Sequence, residues 1–239
     1  MARMIYLGDD VTLPGTGYPP LAAFQVPYPA NLKGAFFLGN GEKIGLRNWA
    51  GGADAVPVGS PAWGGNFATL SQDGYLQTDI DETLAMSLFV VTRETSSDPV
   101  GFIGTYGGGT TRGISLYAGS GATSMTASIG RVGGGGSVGV TSNTTSWGVY
   151  SLQVPSTGAA TLKNHTTGNA NNSAGTEDRV ANGAGLIRLG RLYDSGFIGQ
   201  SDMALALIYD RALSDAEAGV VAAFSRDYAV GRGIALNLA

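Results

Sequence analysis

Ala204, Leu205, Ala206, Leu207, Ile208 and Tyr209 are consecutive apolar positions, followed at once by Asp210, Arg211, Leu213, Ser214, Asp215, Ala216 and Glu217. The segment alternates along its length, as a strand does, and ends in charged residues. Ser214 with Glu217 three positions later forms a capping box, so a helix is predicted to start there. Val220, Val221, Phe224 and Tyr228 recur on roughly one side of it, and the predicted stop is near Gly231. A single helix of this length is unstable alone, so its apolar side must pack on a sheet or an interface.

The rest of the body reads the same way. Strand-like runs at 75–78, 84–92, 100–106, 113–118, 125–132, 147–154 and 186–192 are short and bounded by Gly, Asp, Ser or Pro. That spacing predicts a sandwich rather than βαβ units. Met86, Leu88 and Val90 alternate with Ser87, Phe89 and Val91, so both faces are largely apolar. This strand is predicted to be central, covered by a second sheet and a loop or by another subunit. The 39 glycines and a charged fraction of 13% fit many tight turns between short strands. The glycine clusters at 107–109 and 133–136 lack the following Lys and Ser or Thr of a phosphate-binding loop and are predicted to be hairpin turns. Residues 157–182 are polar and predicted to form a surface loop or an extended hairpin.

Net charge and residue inventory narrow the function classes. With 14 Lys plus Arg, a net charge of −4 and no basic run, nucleic-acid binding is not expected. The absence of cysteine removes disulfide and thiolate chemistry. Asp9 and Asp10 interrupt the N-terminal segment before an apolar stretch forms, and no window approaches about 18 uninterrupted apolar residues. The chain is therefore expected to be made in a cytoplasm without membrane insertion, and the sequons at Asn143, Asn164 and Asn171 to be accidental. Residues 1–40 contain Pro14, Pro19, Pro20, Pro27 and Pro29, a density that opposes regular pairing. They are predicted to form an extended arm, with 41–239 as the domain. Leu21, Phe24, Phe36 and Phe37 are its candidate assembly contacts.

Among candidate site residues, His165 is the sole histidine and sits in polar sequence, which predicts a surface loop. A zinc site or a Ser-His-Asp triad would need partners this composition does not supply. Asp79, Asp81 and Glu82 are predicted to be a solvated turn. Arg188 and Arg191 are predicted to pair with acids across the sheet or at an interface. Trp49 and Trp63 flank a Gly, Ala and Pro rich stretch and are the candidate glycan contacts, since an exposed indole stacks on sugar rings. Trp147 is predicted to fill the core.

Residues 186–190, Phe197, Ile198 and Gly199, and the whole segment 204–217 together resemble the C-terminal part of concanavalin A-like, laminin-G-like jelly rolls. In that family this pattern returns a last core strand to the sandwich before a short helix. Tyr75, Leu76 and Gln77, the 84–92 run, and Phe102, Ile103 and Gly104 look like its early strands, so the resemblance covers about residues 45–230. It implies an all-β, two-sheet antiparallel jelly-roll sandwich with an N-terminal arm and one short C-terminal helix. Some relatives are glycoside hydrolases with a Glu-x-Asp-x-x-Glu array, which is missing here, and no enzymatic activity is expected. Many laminin-G-like domains bind calcium at a loop rim, which makes Asp178, Asp194 and Asp202 the candidates for it. Low charge, abundant glycine and an apolar arm are similar to structural proteins of tailed bacteriophages. The expected function is a non-enzymatic virion component of tail, fibre, collar or capsid surface, assembling with copies of itself and other virion proteins. The alternative is a carbohydrate-binding module that recognises host surface glycan.

Overall fold

The computed structural model describes residues 25–108, 112–121, 123–175, 177–183 and 185–237. In chain order its strands are β1 (Leu32–Phe37), β2 (Val56–Gly59), β3 (Ala62–Trp63), β4 (Ala68–Ser71), β5 (Gly74–Asp81), β6 (Met86–Glu94), β7 (Val100–Gly104) and β8 (Ser115–Ala118). There follow β9 (Ser124–Arg131), β10 (Gly134–Thr141), β11 (Gly148–Val154), β12 (Thr161–Asn164), β13 (Ala170–Asn172), β14 (Leu186–Leu189) and β15 (Gln200–Tyr209). A single helical turn, α1, spans Glu42–Gly45, and the C-terminal helix α2 spans Asp215–Gly231.

The chain is all-β with one C-terminal helix, and its strand pairings among the described residues are antiparallel. The sequence predicts two stacked sheets; the hydrogen bonding joins all the strands into one large sheet. Its path runs β10-β9-β8-β7-β14-β5-β4-β15-β6-β11-β12-β13, with β1 on β15, β2 on β5 and β3 on β4. Phe102, Leu116, Ile129 and Leu189 from one half meet Leu88, Val90, Leu152 and Ile208 from the other in a shared core. The sheet therefore curls over its own interior.

Because side chains alternate along a strand, β6 and β15 present a second apolar face outward. Phe89, Val91, Leu205, Leu207 and Tyr209 lie there, under Val221, Ala222 and Tyr228 of α2, with Val26 and Phe37 beside them. This accounts for the apolar alternation of the 84–92 run: one face looks into the curled sheet and the other under a helix of the same chain. Residues 201–209 are buried along their whole length, as expected of the core strand.

The glycine cluster at 133–136 turns a hairpin as predicted, Arg131 pairing with Gly134 across Val132 and Gly133, whose φ is 77°. Gly109 of the other cluster lies outside the described residues. The expected arm divides. Leu21 and Phe24 lie outside the described residues, whereas β1 pairs along β15 from Leu32 to Phe37. Phe36 and Phe37 are fully buried, one in each core, so in this chain they are packing residues rather than exposed contacts.

Candidate functional site

A candidate site is a cleft where the loop before β11 meets the turn after β12. It encloses ≈ 130 Å³ and is lined by Ser142, Asn143, Ser146, Trp147, Tyr150, Asn164, Thr167 and Asn237, among others. Its floor is a closed hydrogen-bond network. The Tyr150 hydroxyl lies 2.7 Å from Ser142 Oγ, which also accepts from Asn164 Nδ2 at 3.0 Å. Asn164 Oδ1 accepts from the amides of Thr166 and Thr167 at 2.9 and 3.3 Å, which holds the far wall as a tight turn.

Trp147 forms the near wall. The sequence predicts it in the core; it is half-buried at the rim, because β11 starts one residue later at Gly148. One side packs on Phe67, ring centres 5.4 Å apart, and on the Arg93 guanidinium at 5.1 Å. Arg93 is itself fixed, donating from Nε and Nη2 to Asp202 Oδ2 at 2.9 and 2.8 Å, while Thr69 donates to Asp202 Oδ1 at 2.7 Å. The indole is thus held by a stacked, ion-paired support, so little motion is lost when something lies against it.

Among the described residues, the side chains of Ser146 and Asn237 make no hydrogen bond, and Asn143 uses its Oδ1 alone, toward Thr145. Hydroxyls and amides free to donate and accept therefore surround one aromatic plane. Tyr150 is the ionisable group in the lining, and burial raises its pKa, so it stays a neutral hydroxyl. Among the described residues no carboxylate lines the cleft. The arrangement suits a neutral, polyhydroxylated ligand.

The sequence-predicted residues scatter. Trp49 and Trp63 both lie against α1: the Trp49 indole N–H donates to Ile44 O at 3.2 Å under the Arg47 guanidinium, and Trp63 covers Gly45 so closely that a Cβ there would sit 2.3 Å from its ring. Neither lines the Trp147 cleft. Asp202 belongs to β15, where Arg93 and Thr69 occupy its carboxylate, so it is not a loop-rim ligand. Asp178 and Asp194 lie on separate loops, and among the described residues no three His, Cys, Asp or Glu gather as a metal site.

Three further expectations are corrected. Glu82 is not solvated: it is buried in an ion pair with Arg179 and also accepts from Thr105 Oγ1 and from the Ile114 amide at 3.2 Å. Asp79 and Asp81 do stay exposed, on a ≈ 330 Å³ hollow shared with Lys33 and Asp210, where Lys33 pairs with Asp210 at 3.0 Å. His165 is buried, its ring stacked 6.3 Å from Phe89 and hydrogen-bonded to Ser151 at 2.8 Å. Arg188 and Arg191 meet no acid among the described residues and stack on tyrosines instead.

No protein-family model matches the chain, and no curated protein matches it. Its likeness is to solved receptor-binding domains of botulinum neurotoxins. The mosaic serotype C/D domain, with tetraethylene glycol bound on its Hcn sub-domain, superposes with a TM-score of 0.58 at 12% identity over 82% of this chain and 51% of that one. The serotype D binding domain gives 0.60 at 14% identity, covering 82% of this chain and 52% of that one. The serotype D ligand-binding domain in complex with N-acetylneuraminic acid gives 0.56 at 12%, covering 84% and 52%. The chain spans about half the length of these domains, and at such identity the likeness is one of fold.

Proposed function

We propose that this chain is a non-catalytic glycan-binding domain that holds a neutral sugar in the Trp147 cleft. The observation that carries the reading is the pairing of a fixed indole face with hydroxyl and amide groups that, among the described residues, have no partner and no carboxylate beside them in the lining. A pyranose offers the complement: a C–H face for the ring and hydroxyls for the rim. The fold neighbours support it at the level of scaffold. Type C botulinum neurotoxin depends on interaction with two ganglioside molecules for cell entry, and the serotype D domain is known bound to N-acetylneuraminic acid. In the same reading the curled sheet is a jelly roll of the concanavalin A-like kind, its two layers facing each other across the shared core.

Trp147→Ala is expected to abolish retention on a panel of immobilised neutral glycans while lowering thermal stability little, since the ring is half-buried at the rim. Unchanged retention by that variant would remove the cleft from consideration. A role as a repeated virion component stands beside this as a proposal that now rests on the first 24 residues, because Phe36 and Phe37 are already covered within the chain.

A further inference from the structure

We infer that the outer face of β5 and β14 carries a second site, selective for a carboxylate-bearing sugar, built on Arg188 and Arg191. This site is separate from the Trp147 cleft and does not depend on it.

The backbone sets the geometry. Arg188 lies opposite Gln77 in the β14–β5 register. Gly190 then takes a φ of 83°, a left-handed turn at a point where a Cβ would lie 2.2 Å from Leu70, and the next residue, Arg191, comes back to the same tyrosine. The two guanidinium centres sit 5.0 and 5.3 Å from the centre of the Tyr75 ring, and Arg188 lies 3.5 Å from that of Tyr193. Gln77 Oε1 accepts from Arg188 Nε at 2.9 Å, and Gln72 O accepts from Arg191 Nη1 at 2.7 Å. Tyr193 is pinned in turn, donating to Leu186 O at 3.0 Å.

The charges are fixed but not neutralised. The ion pairs among the described residues use Lys33, Arg93, Arg179 and Arg211, and neither Arg188 nor Arg191. Both terminal nitrogens of Arg188 are left without a hydrogen-bond partner among the described residues. Both guanidinium groups lie close to the same ring, so an anion bound at either one also feels the charge of the other. A planar, preoriented guanidinium takes a carboxylate through paired N–H bonds with little further loss of side-chain freedom.

A sugar acid fits better than the other anions. Two cations on a chain of net charge −4 cannot offset a polyphosphate backbone. An acidic peptide added as a strand would need a free strand edge, and β14 is paired on both sides, to β5 and β7, as β5 is to β14 and β2. Tyr193, half-buried and 3.5 Å from the Arg188 guanidinium, supplies aromatic surface for a pyranose beside the charge.

The test is calorimetric titration of the full chain with oligogalacturonate, its methyl ester, and a poly-glutamate of matched charge. The acid form is expected to bind and to weaken with added salt, with the ester and poly-glutamate bound at least about tenfold more weakly. Arg188→Gln with Arg191→Gln should abolish acid binding, and Trp147→Ala should leave it intact. Should the double Gln variant not fold, Arg188→Lys with Arg191→Lys carries the test, retaining charge but losing most of the affinity with the planar geometry. Equal binding of the ester, equal binding of poly-glutamate, or full affinity in a folded double variant would each overturn the assignment.

Discussion

His165 shows how far a side chain's environment can depart from that of its neighbours in sequence. Lys163, Asn164, Thr166 and Thr167 mark a polar turn, yet the amide of His165 bonds Val149 O at 2.8 Å and its ring enters the space beneath α2. Burial, with Lys163 and Arg226 nearby, lowers its pKa to about 4. The unfolded chain, with an ordinary value near 6.5, therefore binds more protons than the folded one between those limits. The folded state should lose about 3 kcal/mol as pH falls from about 6.5 to about 4, with no contribution from this group above that window. Chemical denaturation across that range should show the loss in the parent chain and a flatter profile in His165→Gln. The buried Glu82–Arg179 pair is the same kind of case: a carboxylate in a run of acids becomes a core residue because a guanidinium distant in sequence meets it there.

At the scale of elements, α2 was the most legible. Ser214 Oγ accepts from the Glu217 amide and the Glu217 carboxylate accepts from the Ser214 amide at 2.9 Å, completing the predicted box, and the helix ends at Gly231 as predicted. Arg211 reinforces it, donating to both Glu217 oxygens at 2.9 and 2.7 Å and, with Ser214, lowering the Glu217 pKa to about 2. Ser214→Ala should cost about 1 kcal/mol, read as a shift in the unfolding midpoint. Of the face predicted, Val221 and Tyr228 are buried and Phe224 packs beside them, and Val220 alone turns outward. Ala218, Val221, Ala222, Ser225, Tyr228 and Ala229 are buried, whereas Val220 is 49% exposed. Small residues let the helix lie close on β6 and β15, and a search for large apolar side chains overlooks them.

For the whole molecule, β1 decides what can be removed. A truncation that removes residues 1–40 takes Phe36 from one core and Phe37 from the other and leaves an edge of β15 bare. Removing two buried phenylalanines is far beyond the roughly 3–5 kcal/mol of a single Phe→Ala change. That truncation should yield insoluble protein, while one that begins at Gln25 keeps β1 and folds; soluble yield and circular dichroism distinguish them. If the shorter truncation folds yet no longer self-associates in light scattering, assembly depends on the first 24 residues.

Strand runs, the 133–136 hairpin and the α2 cap were readable in the sequence because each depends on side-chain period, glycine conformation or capping chemistry within a few residues. Tertiary structure alone decided that the fifteen strands of the described residues share one sheet, that a helix covers β6 and β15, and that Phe36 and Phe37 belong to the cores. It also assembled the Trp147 cleft from the start of β11, the turn after β12 and Asn237, and turned Arg188 and Arg191 onto Tyr75. Those outcomes depend on which segments become neighbours when the sheet curls, and long-range pairing leaves no periodic trace in any short window of sequence.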